Sequence, residues 1–172
     1  MTKRAMLIAS ALPVLALAVA SAVNLPKKLV YNASESAPVG FYWLGDRQFE
    51  RGDYVLIRVP QRVRQLVESR GYLPPDVPLI KRVAGVEGDE ICRDGDKIQI
   101  NGESVARAQI SDGLGRPMPV WRGCHLLHDR RVFLLQDYPQ SFDGRYFGPV
   151  DRRLIMGRAT RLRLPWRKCK PS

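Results

Sequence analysis

The chain has 172 residues, enough for one self-supporting domain and an appendage. Hydrophobic residues at 45% and charged residues at 26% exclude wholesale disorder. With 28 Lys and Arg against 17 Asp and Glu the net charge is +11, which points to an anionic partner, either a membrane surface or nucleic acid.

In chain order, Ala5 to Val23 is a run of 19 residues without a charge. As a helix it nearly matches the ~30 Å hydrocarbon core of a bilayer. Residues 1–23 are therefore expected to be an N-terminal membrane anchor. Ala20-Ser21-Ala22 also fits a cleavable signal peptide. Lys3 and Arg4 before the run favour a cytoplasmic N-terminus. On either reading residues 24–172 form an exported domain, placed on the periplasmic side of the inner membrane.

The body is strand-rich. Phe41 to Leu44 reads as a short strand and Tyr54 to Val59 as a buried one, with a turn at Arg51-Gly52-Asp53 between them. Gln61 to Arg70 has Val63, Leu66 and Val67 on one helical face and Gly71 at its C-cap. Pro74-Pro75 breaks the chain, and Pro78 to Val83 is a second buried strand. Gly88-Asp89 and Gly95-Asp96 mark turns in the next stretch. Lys97 to Ile100 and Glu103 to Ala106 flank Asn101-Gly102, a strong hairpin signal. Ser111 to Pro119 is Gly/Pro-rich loop, and Val132 to Leu135 is another strand. The class is mainly β, antiparallel, with a short helix. Residues 152–172 hold eight basic residues and no acid, and without them the balance is 20 against 17. The excess charge is thus a basic C-terminal tail, solvated or lying on anionic lipid. No nucleic-acid module accompanies it, so nucleic acid is not an expected partner.

Three cysteines occur, Cys92, Cys124 and Cys169. In an oxidising compartment Cys92 and Cys124 are candidates for a disulfide, the alternative being two buried thiols. Cys169 is then the odd one, expected to be free. The order Cys124-His125-x-x-His128-Asp129 is cramped and matches no familiar metal spacing, so neither a metal nor another cofactor is expected. His125 and His128 read as a solvated pair near a strand end.

With no usable histidine for a triad, serine activated by lysine remains. That chemistry needs a neutral lysine, and burial in apolar surroundings supplies one by disfavouring the ammonium form. In a strand Lys81 shares its face with Leu79 and Val83, an unusual and costly place for a lysine. A buried ion pair or a snorkelling edge residue are the alternatives at that point. Ser34-Glu35-Ser36-Ala37-Pro38-Val39-Gly40 holds the serine candidates, although its composition is also that of any turn.

Taken in order, four stretches carry a resemblance. They are Ser34-x-Ser36-x-Pro38-x-Gly40; Arg51-Gly52-Asp53-Tyr54-Val55; Ile80-Lys81-Arg82-Val83-x-Gly85-x-x-Gly88-Asp89; and Ser141-Phe142-Asp143-Gly144-Arg145 through Val150, with Gly157-Arg158-Ala159 after it. Together they resemble the boxes of type I signal peptidases. The Pro38-x-Gly40-x-Tyr42 run, Ser-Phe-Asp at Ser141, and Ile100-Asn101-Gly102 with Trp121 and Gly123-Cys124 resemble the TraF-type conjugal-transfer branch in particular. The resemblance implies a signal-peptidase-like β-domain in which Ser36 is the nucleophile and Lys81 the general base. It implies that the Ser34 hydroxyl joins the oxyanion hole and that Ser141 orients the lysine. Asp143 and Arg145 match a structural acid and its partner, with a catalytic need for Asp143 the further expectation in this branch. Members process pilin precursors, and some are thought to join the pilin's ends into a ring, so a precursor protein is the implied partner.

There are departures. One residue rather than two separates Ser36 from Pro38, which keeps Ser34 in view as a rival nucleophile. Gln136-Asp137 stands where the family has Gly-Asp, so a different turn is expected there. Asp143-Gly144-Arg145 replaces the commoner Asp-Ser-Arg and reads as a mild change. A housekeeping signal peptidase and a non-catalytic anchored part of a secretion machine are the alternative functions.

Overall fold

The computed structural model describes residues 28–163 apart from 75 and 129. The expected anchor, the end of the basic tail and Cys169 lie outside that range. Among the described residues no helix is long and apolar enough to cross a membrane.

The strands are β1 (Leu29–Asn32), β2 (Gly40–Leu44), β3 (Tyr54–Ile57), β4 (Leu79–Gly85), β5 (Glu90–Asp94), β6 (Lys97–Ile100), β7 (Glu103–Arg107), β8 (Gly123–Leu126), β9 (Arg131–Leu134), β10 (Val150–Asp151) and β11 (Ile155–Arg161). The helices are α1 (Gln61–Ser69) and the short α2 (Gly144–Phe147). Two antiparallel sheets result, in the orders β1-β2-β11-β3-β4-β9-β10 and β7-β6-β5-β8. The smaller sheet is thus an excursion between β4 and β9, which are neighbours in the larger one.

Local chemistry accounts for most of these elements. Asn101 and Gly102 take φ of 52° and 82°, the left-handed pair that a two-residue hairpin turn between β6 and β7 requires. Val63 and Val67 of α1 are buried, and Val63 packs into a core with Val55, Ile57, Leu79, Val83 and Leu134. A second core of Ile91, Ile98, Leu127, Phe133 and Leu135 joins the smaller sheet to β9. A disulfide, Cys92–Cys124, links β5 to β8 at a directly opposed pair of positions.

One expectation is corrected. The basic stretch does not begin as a tail at residue 152. Arg152 and Arg153 lie in a 3₁₀ turn (Arg152–Leu154), and β11 then runs between β2 and β3. Ile155, Gly157 and Ala159 point inward there, while Arg158 and Arg161 face out, Arg161 donating to the Val39 carbonyl at 3.0 Å. The aromatic run of β2 also divides by strand alternation. Tyr42 is fully buried, whereas Phe41 and Trp43 face outward. Opposite them on β1 stand Tyr31 and Leu29, so one exposed apolar strip covers this edge.

Candidate active site

β4 lies between β3 and β9, with Lys81 opposite Val55 and Val83 opposite Leu134. That central place fixes the Lys81 backbone and leaves the side chain 2% exposed. Nζ donates to Ser141 Oγ at 2.7 Å. Burial draws the Lys81 amine down from 10.5 to about 8; the nearby Asp143 carboxylate opposes the fall and the Arg145 guanidinium adds to it. At neutral pH a useful fraction of the amine is therefore unprotonated.

Ser141 lies in the segment between β9 and α2, and a buried ion pair holds that segment. Asp143 caps α2, its carboxylate accepting from Arg145 N at 3.1 Å and Gln136 N at 3.0 Å. Arg145 Nη1 reaches the same carboxylate at 2.8 Å, and its Nη2 donates to the Gln136 carbonyl at 2.7 Å. Burial pushes the Asp143 carboxyl up, against the downward pull of Arg145 and Lys81. Neither the Asp143 nor the Arg145 side chain lines the cavity that Lys81 faces.

The nucleophile candidates occupy the turn that connects β1 to β2, closed by the Asn32–Gly40 pair. Tyr42 Oη, from inside the core, donates to the Pro38 carbonyl at 2.7 Å. Ser34 Oγ and Ser36 Oγ are 3.1 Å apart. Ser36 Oγ thus pairs with Ser34, while Lys81 Nζ is engaged by Ser141. Ser34, Ser36, Lys81 and Ser141 nonetheless line one cavity of about 410 Å³, together with apolar Leu79, Met118, Phe142 and Tyr146. The arrangement offers two hydroxyls and a depressed amine around an apolar slot, the elements of serine–lysine acyl transfer. Cys92, Cys124, His125 and His128 are not part of this cavity. His125 lies on β8 and meets the Trp121 ring at 5.6 Å.

Three residues gain a role here that the sequence left unstated or misjudged. Gln136 is buried and fastens the end of β9 to β4, its Nε2 donating to the Ile80 carbonyl at 3.1 Å, one residue from the lysine. The altered Gln-Asp turn is thus part of the scaffold of the site. Gly144 is no mild replacement for serine. A Cβ there would stand 2.5 Å from the Leu134 carbonyl oxygen and 2.6 Å from the Phe133 ring. Asn32, a buried amide with no motif of its own, holds the serine turn. No periodicity flags such amides, since their partners are carbonyls and N–H groups set by the fold.

Residues 1–164 match the family model for signal peptidase, peptidase S26. The chain is 36% identical over 136 residues to the plasmid transfer protein TraF of Escherichia coli, covering 73% of this chain and 77% of that one. It is 34% identical over 140 residues to a probable conjugal transfer protein TraF of Sinorhizobium fredii, covering 74% and 73%. A solved signal peptidase I from Enterococcus faecalis is covered over 98% of its length and covers 66% of this chain, at 20% identity and a TM-score of 0.39, too low to carry weight. On the family match and the identity to these relatives, the chain belongs to the type I signal peptidase superfamily, peptidase S26, on its TraF-type side.

Proposed function

We propose that this chain is a membrane-anchored serine endopeptidase that uses a Ser36–Lys81 dyad to cut an exported precursor protein, a conjugative pilin subunit being the substrate we favour. The observation that supports this best is Lys81. An amine drawn down to about 8, enclosed by a sheet and facing the same cavity as two serine hydroxyls, is costly unless it has a task.

The chemistry follows from the groups present. The neutral Lys81 amine takes the Ser36 proton as Oγ bonds to the carbonyl carbon and the carbonyl electron pair moves to oxygen. The Ser34 hydroxyl and the Ser36 backbone N–H stabilise that oxyanion, a contribution whose loss typically costs ~10²–10³ in rate per donor. Collapse breaks the C–N bond, and Lys81 returns its proton to the departing amine. Water then opens the acyl-enzyme, or an amine of the same precursor does so and closes a ring.

The exposed strip on β1 and β2 supports a membrane setting. Tyr31 is 57% and Trp43 48% exposed, and the strands that carry them lead directly into the Ser34–Pro38 turn. Aromatic side chains of this kind favour the lipid interface. Placed on the periplasmic face of the inner membrane, this edge would present the turn to a membrane-held precursor. The names of the TraF relatives speak for plasmid transfer as the setting.

The test is the intact mass of a pilin precursor co-expressed with the wild type or with Lys81→Ala. Trimming by the wild type alone supports the dyad, and a further loss of one water indicates cyclisation. Trimming by both variants sinks it.

A further inference from the structure

Asn32 ends β1 and is 9% exposed. Its Nδ2 donates to the carbonyl oxygens of Ser34 at 2.9 Å, Ala37 at 3.0 Å and, more weakly, Pro38 at 3.4 Å. Carbonyl oxygens only accept, so the amide nitrogen must face them and Oδ1 must face away. On that side Oδ1 accepts from Ser34 N at 3.2 Å and from Ser34 Oγ at 2.9 Å.

A serine hydroxyl has one proton. With the Ser34 proton on Asn32, the 3.1 Å contact between Ser34 Oγ and Ser36 Oγ has one allowed sense, in which Ser36 donates. The resting order of donation is Ser36 to Ser34 to Asn32. One planar amide thus holds the turn from both edges. Nδ2 gathers the carbonyls on either side of Ser36, and Oδ1 grips Ser34 by its backbone and its side chain.

We propose that Asn32 is the positioning residue of the nucleophile turn. It sets the rotamer of Ser34, and through it the place of an oxyanion donor beside Ser36. The proposal rests on the reading of Ser36 as nucleophile. When substrate carbonyl oxygen gains charge it becomes a stronger acceptor than the neutral Oδ1. The Ser34 proton swings to it without Oγ moving, because the Ser34 N–H stays on Asn32. That swing accompanies the transfer of the Ser36 proton to Lys81, which takes Ser36 off Ser34 as its Oγ bonds to the carbonyl carbon.

The experiment titrates the full-length chain with a peptidyl boronic acid ending in boroalanine. Its boron takes up Ser36 Oγ to form a tetrahedral anion, and boron-11 NMR with adduct mapping reads the affinity. Asn32→Ala is compared in the Ser34 and Ser34→Ala backgrounds, beside thermal unfolding of each. Asn32→Ala is expected to weaken the adduct roughly tenfold or more when Ser34 is present, towards the ~10²–10³ of a lost oxyanion donor. In the Ser34→Ala background the loss is expected to be several-fold smaller, with the same drop in Tm. A second variant, Asn32→Asp, sets a charged acceptor against Ser34 that competes with the oxyanion for its proton, so Ser34→Ala should cost several-fold less there than in the wild type. Equal losses in both backgrounds, or a cost of Ser34→Ala beside Asn32→Asp as large as in the wild type, would overturn the proposal alone. No adduct on wild-type Ser36 would remove the nucleophile assignment and the proposal with it.

Discussion

Lys81→Met separates the two consequences of burying this lysine. An amine at 10.5 is neutral in roughly one molecule in 3,000 at pH 7, whereas at about 8 it is neutral in roughly one in ten. Burial therefore supplies roughly 300 times more base, and the cost appears in stability. Between about 8 and 10.5 the unfolded chain holds the proton that the folded chain has lost, so stability rises with pH across that window. Below about 8 the ammonium is buried and the penalty is in full force, about 3 kcal/mol at pH 7 as an upper bound. Methionine fills similar space without a charge. Lys81→Met is thus expected to abolish cleavage while raising Tm at pH 7, with the gain shrinking as pH rises from about 8 to 10.5. The wild-type kcat/KM should rise about tenfold per pH unit up to a plateau near 8. A peptide-cleavage assay from pH 6 to 10 and calorimetry on both proteins measure these effects. A pH-independent rate, or a Met variant less stable than the wild type at pH 7, would refute the reasoning.

The lysine's surroundings give three further tests. Ser141→Ala removes the acceptor 2.7 Å from Nζ, and the unguided amine should lower kcat by about 10²-fold with KM nearly unchanged in steady-state kinetics. Asp143→Asn removes the carboxylate that favours the ammonium form, so the acid limb of the pH profile should move to lower pH. The same change leaves Arg145 buried without its counter-ion and should cost about 3–5 kcal/mol in urea unfolding. Gly144→Ser, although it restores the commoner family residue, should lose about 1–3 kcal/mol in thermal unfolding by forcing a Cβ against the Leu134 carbonyl and the Phe133 ring.

Lys81 was legible in the sequence because its signal is local. Alternation along one strand puts a charge among Leu79 and Val83, and the burial agrees. The Asn101-Gly102 hairpin and α1 were legible for the same reason. β11 was not, because its inward residues include Gly157 and Ala159, too small to mark an apolar face, and its outward ones are the arginines that read as a tail. β8 was missed for a related cause. It is largely exposed, its Cys124 is covalently tied to Cys92, and it shows no alternation. Asn32 and Gln136 are a different case. Both are neutral amides whose role depends on which backbone groups the fold delivers to them, and Gln136 meets Ile80 across 56 positions of chain.

The two halves of the candidate dyad are held by different means, and each suits its task. A base whose amine must stay out of water needs surroundings that do not open, so it sits mid-sheet, with neighbouring strands on both sides and a buried ion pair close by. A nucleophile must approach a bulky peptide, so it belongs on a connection that water and substrate can reach. A connection of that kind has little apolar burial to hold its shape. Here the missing rigidity comes from hydrogen bonds reaching out of the core, from Asn32 at the start of the turn and from Tyr42 beneath its end. Both anchors lie on the strands that carry the exposed aromatic strip. The shape of the serine turn is thus set by the same two strands that present that strip, rather than by the turn's own contacts.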